Sequence, residues 1–408
     1  RMPYMNDITN KMRSAFQNAQ GGLFAAVQKA DVGDQVVQLM AQGYTLMSWA
    51  DPFFPDPSTP YHVAKATADA IMDGKSAHYT APIGNGQLKE KIAEKLKAQN
   101  HLEVIPERNI LITPGSDSGL FFAMLPFIEA GDEVLIPDPS YPNNKQNVDI
   151  LNGKAIAVPL SATNNWQFDF DVLESYVTDK TKMLVLTNPN NPTTTVFRRE
   201  NLEELASFVE KHDLIVVVDQ AFEDQVYDDI EMVTFAALPG MWERTVSIFS
   251  FSKGMGLSGY RVGYLVTNDK IMDKFFATAV SVIGATNTAA QIGAIAALEN
   301  HSFVEEYKTV QNKRRTYCYE QLQDIPGIKM LKSESGILSW IDVSALSDDA
   351  TMVDYLRDEA KVLVNAGSSY GPSGQGYIRL VHGVLHSDEE FEDAIQRIRR
   401  ALLNYKQG

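Results

Sequence analysis

Seven short apolar segments, separated by longer stretches, are the feature that most restricts the fold of this sequence. They are rich in β-branched residues and do not alternate polar with apolar positions, which is typical of strands covered on both faces. They occupy residues 109–114, 133–137, 155–159, 183–187, 215–219, 245–250 and 262–267. The pattern predicts an α/β fold with a mainly parallel, seven-stranded sheet and helices on both faces.

One stretch between two of these segments has clear helical spacing. Its apolar residues are Leu202, Leu205, Phe208 and Val209. Before them, Asn201 and Glu204 resemble a capping box with asparagine in the place of serine or threonine. The sequence therefore predicts a strand, helix, strand crossover, with the helix beginning at about residue 201.

The pattern changes after about residue 290. A long helical region over 289–323 precedes short apolar runs at 336–343 and 377–383 and a final amphipathic helix at 388–405. This order predicts a large domain over 61–295 and a smaller α+β domain over 296–408. We expect residues 1–60 to join the smaller domain.

Composition narrows the classes of partner. The formal charge of −16 disfavours nucleic acid and anionic membrane surfaces, which would both repel the chain. The N-terminal residues have no apolar core of the signal-peptide type, and no run of about 18 apolar residues occurs. The single cysteine, Cys318, excludes an internal disulfide and a CxxC metal site. We expect a soluble cytoplasmic protein without a metal, whose partners are small molecules.

The segment 250–263, SFSKGMGLSGYRVG, contains the pattern G-x-G-x-x-G at Gly254, Gly256 and Gly259. In a dinucleotide-binding turn, a helix follows the glycines and leads to a parallel strand. Here the next apolar segment begins three residues after Gly259, and a parallel crossover takes a dozen residues or more. The spacing excludes a dinucleotide site, and we expect the glycines mainly to make room for another cofactor.

The same segment places Lys253 directly after an apolar run, with Ser250 and Ser252 before it and Arg261 after it. A desolvated lysine is a nucleophile towards carbonyl compounds, and two hydroxyls with an arginine suit a phosphate. A surface lysine and arginine beside a glycine-rich hairpin explain these residues equally well. The segment alone leaves both interpretations open.

The motif S-x-S-K followed by G-x-x-G-x-R-x-G resembles the lysine segment of the class I and II aminotransferases of fold type I, which bind pyridoxal 5'-phosphate (PLP). Further motifs of that family follow in order from about residue 45 to 383. The resemblance implies that Lys253 forms a Schiff base with the cofactor and that Asp219, in DQAF, pairs with its pyridine nitrogen. A carboxylate there keeps the ring nitrogen protonated, which makes the ring a stronger electron sink.

The resemblance also assigns cofactor contacts to other segments. It implies that Asn191, in TNPNNPT, bonds to the ring oxygen and that Tyr141, in PDPSYPNN, stacks on the ring. Ser116 and Asp117, in ITPGSDSG, lie where a strand turns into a helix, so their N–H groups can hold the phosphate. We expect the side chain of Asp117 to cap that helix or to point away. By the same resemblance, Ser250, Ser252 and Arg261 turn towards the phosphate.

Substrate and partner contacts follow from the same family pattern. Arg379, in GYIRLVHG, matches the arginine that binds the substrate α-carboxylate, with Asn191, Ala50 and Trp49 nearby. Tyr79, in HYTAPIGNG, matches a tyrosine that reaches the phosphate in the neighbouring subunit. The resemblance thus implies a homodimer with shared active sites.

Three positions depart from the family pattern. Phe222 stands where a tyrosine usually donates to the ring oxygen, so the imine nitrogen is expected to keep its proton to higher pH. Thr194 and Ala50 each replace a usual glycine, and both substitutions are expected to narrow the site.

The predicted function is transfer of an amino group from an L-amino acid to a 2-oxo acid. The same residues also allow a C–S β-lyase, a decarboxylase or a racemase, because the fate of the substrate carbanion depends on pocket details. A non-catalytic PLP-binding regulator is a further alternative, but no basic DNA-binding segment precedes residue 60.

Substrate choice depends on residues 281–291, where dicarboxylate-specific members of the family present an arginine. None occurs here, and the next one in the chain is Arg314. The sequence therefore favours a neutral or aromatic substrate side chain, with Trp49, Phe53 and Phe54 as candidate pocket walls. At least one of the two phenylalanines is expected to be core packing instead.

Overall fold

The computed structural model describes residues 7–17, 34–81, 84–383 and 387–406. In chain order, the strands are β1 (Thr45–Leu46), β2 (Ile110–Thr113), β3 (Glu133–Asp138), β4 (Lys154–Pro159), β5 (Thr181–Thr187), β6 (Ile215–Asp219), β7 (Thr245–Ser250), β8 (Gly263–Val266), β9 (Lys329–Met330), β10 (Leu338–Asp342), β11 (Val362–Leu363), β12 (Asn365–Ala366) and β13 (Tyr377–Val381).

The α-helices are α1 (Ser14–Gln17), α2 (Asp34–Ala41), α3 (Tyr61–Met72), α4 (Gly86–Asn100), α5 (Pro106–Asn109), α6 (Gly115–Met124), α7 (Pro142–Ile150), α8 (Phe170–Ser175), α9 (Arg199–Lys211), α10 (Asp269–Val282), α11 (Thr288–Glu299), α12 (Ser302–Leu322), α13 (Asp349–Tyr355) and α14 (Asp388–Leu403). No helix in the described part of the chain is both long and apolar enough to span a membrane.

The seven apolar segments form one sheet in the order β2, β8, β7, β6, β5, β3, β4. The strands from β7 to β4 run parallel. Strand β8 is antiparallel to both β2 and β7, because the segment between β7 and β8 has only one short 3-10 turn and no α-helix that could form a parallel crossover. The predicted seven-stranded, mainly parallel sheet is therefore confirmed.

Helices cover both faces of this sheet, which explains the continuous apolar character of its strands. In β6, Val217 packs in one core with Phe122 of α6 and Phe275 of α10. Its neighbours Val216 and Val218 point to the opposite face, where they pack in another core that includes residues of α9. Because successive side chains of a strand alternate between faces, both sets must be apolar.

A second, antiparallel sheet has the order β12, β13, β10, β9. Its core contains residues of α12 and α14 and also Met47, which follows β1. Strand β1 pairs in parallel with β11. Residues 1–6 and 18–33 of the predicted N-terminal segment lie outside the described residues, and the predicted boundary at residue 295 lies within α11.

Two local predictions differ from the structure. The helical region over 289–323 is two helices, α11 and α12. The predicted capping box is wrong, because α9 begins at Arg199 and Asn201 lies inside its first turn. The Asn201 side chain instead accepts a hydrogen bond from Phe168 N (3.0 Å) and donates one to Phe168 O (3.1 Å). A contact 33 positions away in the chain has displaced the local cap.

Candidate active site

The carboxyl ends of three neighbouring strands bring predicted site residues to one edge of the large sheet. Asp219 ends β6, in register with Thr187 of β5 and Ile248 of β7. Ser250 ends β7 and pairs with Gly263 at the start of β8. In sheets of this kind, ligands bind outside the carboxyl ends of the strands.

Two glycines allow the start of α6 to approach the lysine segment closely. A Cβ on Gly115 (φ 79°) would lie 2.2 Å from Nη2 of Arg261, and a Cβ on Gly263 would lie 2.7 Å from the backbone nitrogen of Ser116. The guanidinium of Arg261 therefore lies beside the N-terminus of α6, where backbone N–H groups lack partners within the helix. Together they form an anion-binding cradle.

Internal hydrogen bonds shape the lysine segment around this cradle. The Ser250 hydroxyl accepts from the backbone N–H of Ser252 (2.9 Å), and the Ser258 hydroxyl donates to the carbonyl of Ser252 (3.1 Å). Arg261 has a left-handed backbone (φ 53°), and its Nη1 donates to the carbonyl of Ser258 (2.6 Å). The two predicted serines and Arg261 thus belong to one compact turn.

Lys253 is half-buried in the same turn, and its Nζ donates to the carbonyl oxygen of Ala50. The glycines after it do not serve the predicted purpose. A Cβ on Gly254 would lie 2.4 Å from Oδ2 of Asp224, and one on Gly256 would lie 3.2 Å from the ring of Tyr307. The prediction that the glycines make room for a cofactor is wrong for Gly254 and Gly256, because these two accommodate protein side chains, whereas a Cβ on Gly259 would meet nothing within 4 Å.

Asp219 is buried, with 5% of its surface exposed. From the described residues, its carboxylate accepts one hydrogen bond, from the backbone N–H of Ala221 (3.0 Å). Burial raises the pKa of Asp219 to about 7; the charge of Asp117 also raises it, while the Ala221 bond and Lys253 lower it. A cation placed beside this carboxylate would favour its charged form.

Asp117 and Tyr141 contact each other. The Tyr141 hydroxyl donates to Oδ1 of Asp117 (2.9 Å) and accepts from Nδ2 of Asn143 (3.1 Å). The N-cap of α6 is Pro114, with no side-chain cap. Of the two orientations expected for the Asp117 side chain, capping of α6 is not found, because its carboxylate accepts from the Tyr141 hydroxyl instead.

Arg379 of β13 is buried, and it joins three parts of the chain. Its Nη1 donates to the side-chain oxygen of Asn191 (3.2 Å), and its Nη2 donates to the carbonyl of Ser48 (3.1 Å). Its guanidinium also lies over the ring of Tyr370, 5.1 Å from the centroid. The predicted group of Arg379, Asn191 and the 48–50 segment is thus assembled.

The two departures at Thr194 and Phe222 both lie against residues 334–336. Thr194 has a left-handed backbone (φ 68°), which strains a β-branched residue. Its carbonyl accepts from the Ser335 hydroxyl (2.6 Å), and its hydroxyl accepts from the backbone N–H of Glu334 (3.3 Å). Phe222 is buried, and a Cβ on Gly336 would lie 3.1 Å from its ring.

Tyr79 does not join the other predicted residues within the chain, because its side chain is fully exposed at 102%. The ring of Trp49 lies 4.6 Å from that of Phe54, next to the Lys253 contact at Ala50. The ring of Phe53 lies 4.5 Å from that of Tyr307.

A second buried acid next to the site has no counterpart in the sequence predictions. Glu223 accepts hydrogen bonds from Lys95, from Asn100 (2.8 Å) and from Gln220 (3.0 Å). Burial is the largest single effect and lowers the pKa of Lys95, but the charges of Glu223, Tyr264 and Asp224 and the hydrogen bond to Glu223 together leave that pKa above its ordinary value. Lys95 is 128 positions from Glu223, so no local sequence signal could have revealed the pair.

Comparison with known proteins places the chain in a family. Residues 46–398 match the model described as "Aminotransferase class I and II". An aspartate aminotransferase of Pyrococcus abyssi is 33% identical over 86% of this chain and 90% of the relative. Aromatic-amino-acid aminotransferase 2 of Thermococcus litoralis is 32% identical over the same shares of the two chains.

Solved structures agree with this result. The aspartate aminotransferase of Thermus thermophilus with maleate has a TM-score of 0.86 at 26% identity, covering 96% of this chain and 99% of that chain. An aromatic aminotransferase from Pyrococcus horikoshii has a TM-score of 0.84 at 30% identity, covering 90% and 98%. The fold is therefore fold type I. The chain belongs to the class I and II aminotransferases and is a PLP-dependent aminotransferase.

The residues present fit this cofactor. Gly115 lets the Arg261 guanidinium lie directly against the N-terminus of α6, so that two groups which favour an anion are side by side. The buried Asp219 carboxyl, with a pKa of about 7, suits a group that carries a proton on a ring nitrogen. Lys253 lies on the turn that connects the strand end next to Asp219 with Arg261 of the cradle.

Proposed function

We propose that this aminotransferase moves the amino group of an L-amino acid with a neutral or aromatic side chain to a 2-oxo acid. The observation that carries the choice of side chain is the state of Arg314, the first arginine after residues 281–291. It is buried, pairs with Asp388 (3.1 Å) and donates to the carbonyl of His382 (2.8 Å). Because Asp388 already balances its charge, Arg314 does not bind a second carboxylate of the substrate.

The cofactor is held at its aldehyde by Lys253 and at its ring nitrogen by Asp219. When bound, PLP supplies an electron sink for the negative charge that develops at the substrate Cα. Once the substrate amine has displaced it from the aldehyde, the freed amine of Lys253 would take the proton from that Cα as general base, and the Ala50 carbonyl to which it donates would keep it close by. Asp219 keeps its charge beside the ring nitrogen, away from water.

The phosphate is held by the backbone N–H groups of Ser116 and Asp117, with Ser250, Ser252 and Arg261. Support comes from the close approach of Arg261 to the first residue of α6. Tyr141 would stack on the ring, and its bond to Asp117 holds its hydroxyl in place. The Asn191 amide faces the ring oxygen.

The substrate α-carboxylate binds Arg379, with Asn191 beside it, because a guanidinium offers two parallel donors to a carboxylate. The side chain of the substrate lies along Ala50 and Trp49. Trp49 and Phe54 provide an apolar wall there, in contact with Ala50 and Phe222.

We also propose that residues 1–60 and 296–408 form the small domain and that 61–295 form the large one. The pairing of β1 with β11 supports the first part of this division, as does the bond from Arg397 to the hydroxyl of Thr45 (2.7 Å). The cytoplasmic location stays a prediction.

The active enzyme is a homodimer in which Tyr79 serves the neighbouring site. Its full exposure supports this role, as does the exposure of apolar residues at the end of α3 and of α10, namely Ile71, Met72, Val280 and Val282. In a symmetric dimer, exposed apolar residues such as these are buried where the same surface of the two subunits meets.

Subunit mixing tests the shared site. Tyr79→Ala and Lys253→Ala proteins are each expected to have little activity. A hybrid dimer contains one site with both residues intact, so an equal mixture should recover about a quarter of the parent activity. Without recovery in a mixture shown to contain hybrids, Tyr79 does not serve the partner's site.

A panel of amino donors tests the substrate proposal. We expect kcat/KM for phenylalanine, tyrosine, leucine or methionine to exceed that for aspartate by about tenfold or more, since an unpaired substrate carboxylate lacks a cation. Aspartate or glutamate as the best donor would overturn this choice. Release of ammonia and pyruvate from cystathionine would instead indicate the β-lyase.

A further inference from the structure

Asn365 lies beside Arg379 in the small sheet and was not identified as a functional residue from the sequence. The two residues are register partners on the neighbouring strands β12 and β13. Nε of Arg379 donates to the side-chain oxygen of Asn365 (2.9 Å), and Asn365 is 1% exposed. Because an arginine Nε is only a donor, the amide oxygen must face it.

The Arg379 acceptors identified above and Asn365 share one property. They are the amide oxygens of Asn365 and Asn191 and the backbone carbonyl of Ser48, and all of them are neutral. Neutral acceptors fix the plane of a guanidinium without neutralising its charge. Two further buried arginines, Arg314 and Arg315, each contact an aspartate, Asp388 and Asp228.

The nitrogen of the Asn365 amide is not used in this arrangement. Its Nδ2 is buried and finds no hydrogen-bond partner among the described residues. A buried donor without a partner costs stability, and an apolar residue of similar shape would avoid that cost. The asparagine therefore serves the arginine rather than the packing of the small sheet.

We propose that Asn365 is a positioning residue for the substrate carboxylate. Its oxygen holds the Nε edge of Arg379 and so fixes the plane in which the terminal nitrogens of the guanidinium can bind the α-carboxylate. This proposal rests on the proposed role of Arg379.

Three substitutions separate charge, hydrogen bonding and packing at this position. Asn365→Asp keeps the shape and adds a negative charge, Asn365→Leu removes the acceptor, and Asn365→Thr keeps an acceptor oxygen. Each is assayed with the best amino acid of the donor panel and with the corresponding amine that lacks the carboxylate. Thermal melts of the PLP-loaded proteins report folding.

We expect Asn365→Asp and Asn365→Leu to raise KM for the amino acid by about 10- to 100-fold, with kcat much less affected. Asn365→Thr should stay close to the parent, and kcat/KM for the amine should not change. Equal losses for amino acid and amine, or a parent-like KM in both Asp and Leu variants, would overturn the proposal. Should the Asp variant not fold, the Leu and Thr variants decide the question.

The Arg379→Lys variant shows whether a negative result concerns only the role of Asn365 or also the proposed role of Arg379. A parent-like KM in that variant would mean that Arg379 does not bind the carboxylate. A raised KM for Arg379→Lys together with unchanged Asn365 variants would reject only the role of Asn365.

Discussion

Asp219 and Glu223 are two buried acids four residues apart, and their surroundings differ in kind. Glu223 is enclosed by Lys95, Asn100 and Gln220, which all donate to its carboxylate. Asp219 accepts one backbone hydrogen bond from the described residues, and Lys253 acts on it only through its charge. One acid is satisfied within the protein, whereas the other is not.

Under the proposed function, this difference separates a structural acid, Glu223, from a functional one, Asp219. The Glu223 network joins α4 to the residues after β6, and the neighbouring Asp224 packs on Gly254, next to Lys253. It holds the strand end that carries Asp219 against the lysine segment. Burial with few partners raises the pKa of Asp219 to about 7, as expected for an acid whose counter-charge is a bound cofactor.

The largest effect is expected from Glu223→Gln, which leaves Lys95 buried without a counter-charge. Breaking one side of a buried pair costs about 3–5 kcal/mol of unfolding free energy. Denaturant unfolding measures this loss, and kcat of the folded fraction should stay close to the parent value. The double variant Lys95→Met, Glu223→Met should be more stable than Glu223→Gln. Parent-like stability of the single variant would mean that the pair is not structural.

Asp219→Asn should give the opposite result. Its shape is preserved, but the charge beside the cofactor ring is lost, and we expect kcat to fall by about 10²–10³-fold, as for other preorganised electrostatic groups. The stability of the PLP-free protein should not fall, since a buried, weakly paired acid is removed. Kinetics at saturating PLP check the first point and denaturant unfolding checks the second. A kcat close to the parent value for Asp219→Asn would contradict the distinction between Asp219 and Glu223.

Asn100→Ala probes the Glu223 network more gently. Nδ2 of Asn100 also contacts the hydroxyl of Thr234 (3.0 Å). Loss of a hydrogen bond to a charged group should cost about 1.5–3 kcal/mol of stability. Activity at 25 °C should be unchanged, and a fall in kcat without a fall in stability would show that this network acts in catalysis.

The last prediction concerns the dependence of stability on pH. The pKa of Asp219 is 3.8 in the unfolded chain and about 7 in the folded one, so the folded state binds more protons between these values. Its contribution to stability therefore decreases as pH rises from about 4 to about 7, by about 1.4 kcal/mol per pH unit at most. Denaturant unfolding of PLP-free parent and Asp219→Asn at several pH values should show this difference. Parallel curves would contradict it.

The strands of the large sheet were predictable because their apolar runs are local and continuous. The short spacing between Gly259 and β8 also excluded a parallel crossover in advance. The break between α11 and α12 and the start of α9 were not predictable. The second depends on Phe168, whose backbone uses the Asn201 side chain that would otherwise have formed a cap.

Within the site, family motifs point to residues that the fold collects at one sheet edge, such as Asp219 and Lys253. The hydrogen-bond partners of Arg379 and Glu223, in contrast, were not predictable. Asn365 reaches Arg379 only through the register of two strands, and Lys95 reaches Glu223 across 128 positions. Hydrogen bonds of this kind depend on tertiary packing and leave no local pattern.

The most direct test is a single turnover of the PLP-loaded enzyme with one L-amino acid and no acceptor. The account predicts one equivalent of 2-oxo acid and one of pyridoxamine phosphate per Lys253 site, with no ammonia released. Lys253→Ala should give neither product at a comparable rate. Continuous release of 2-oxo acid with ammonia, or parent-like turnover by Lys253→Ala, would contradict it.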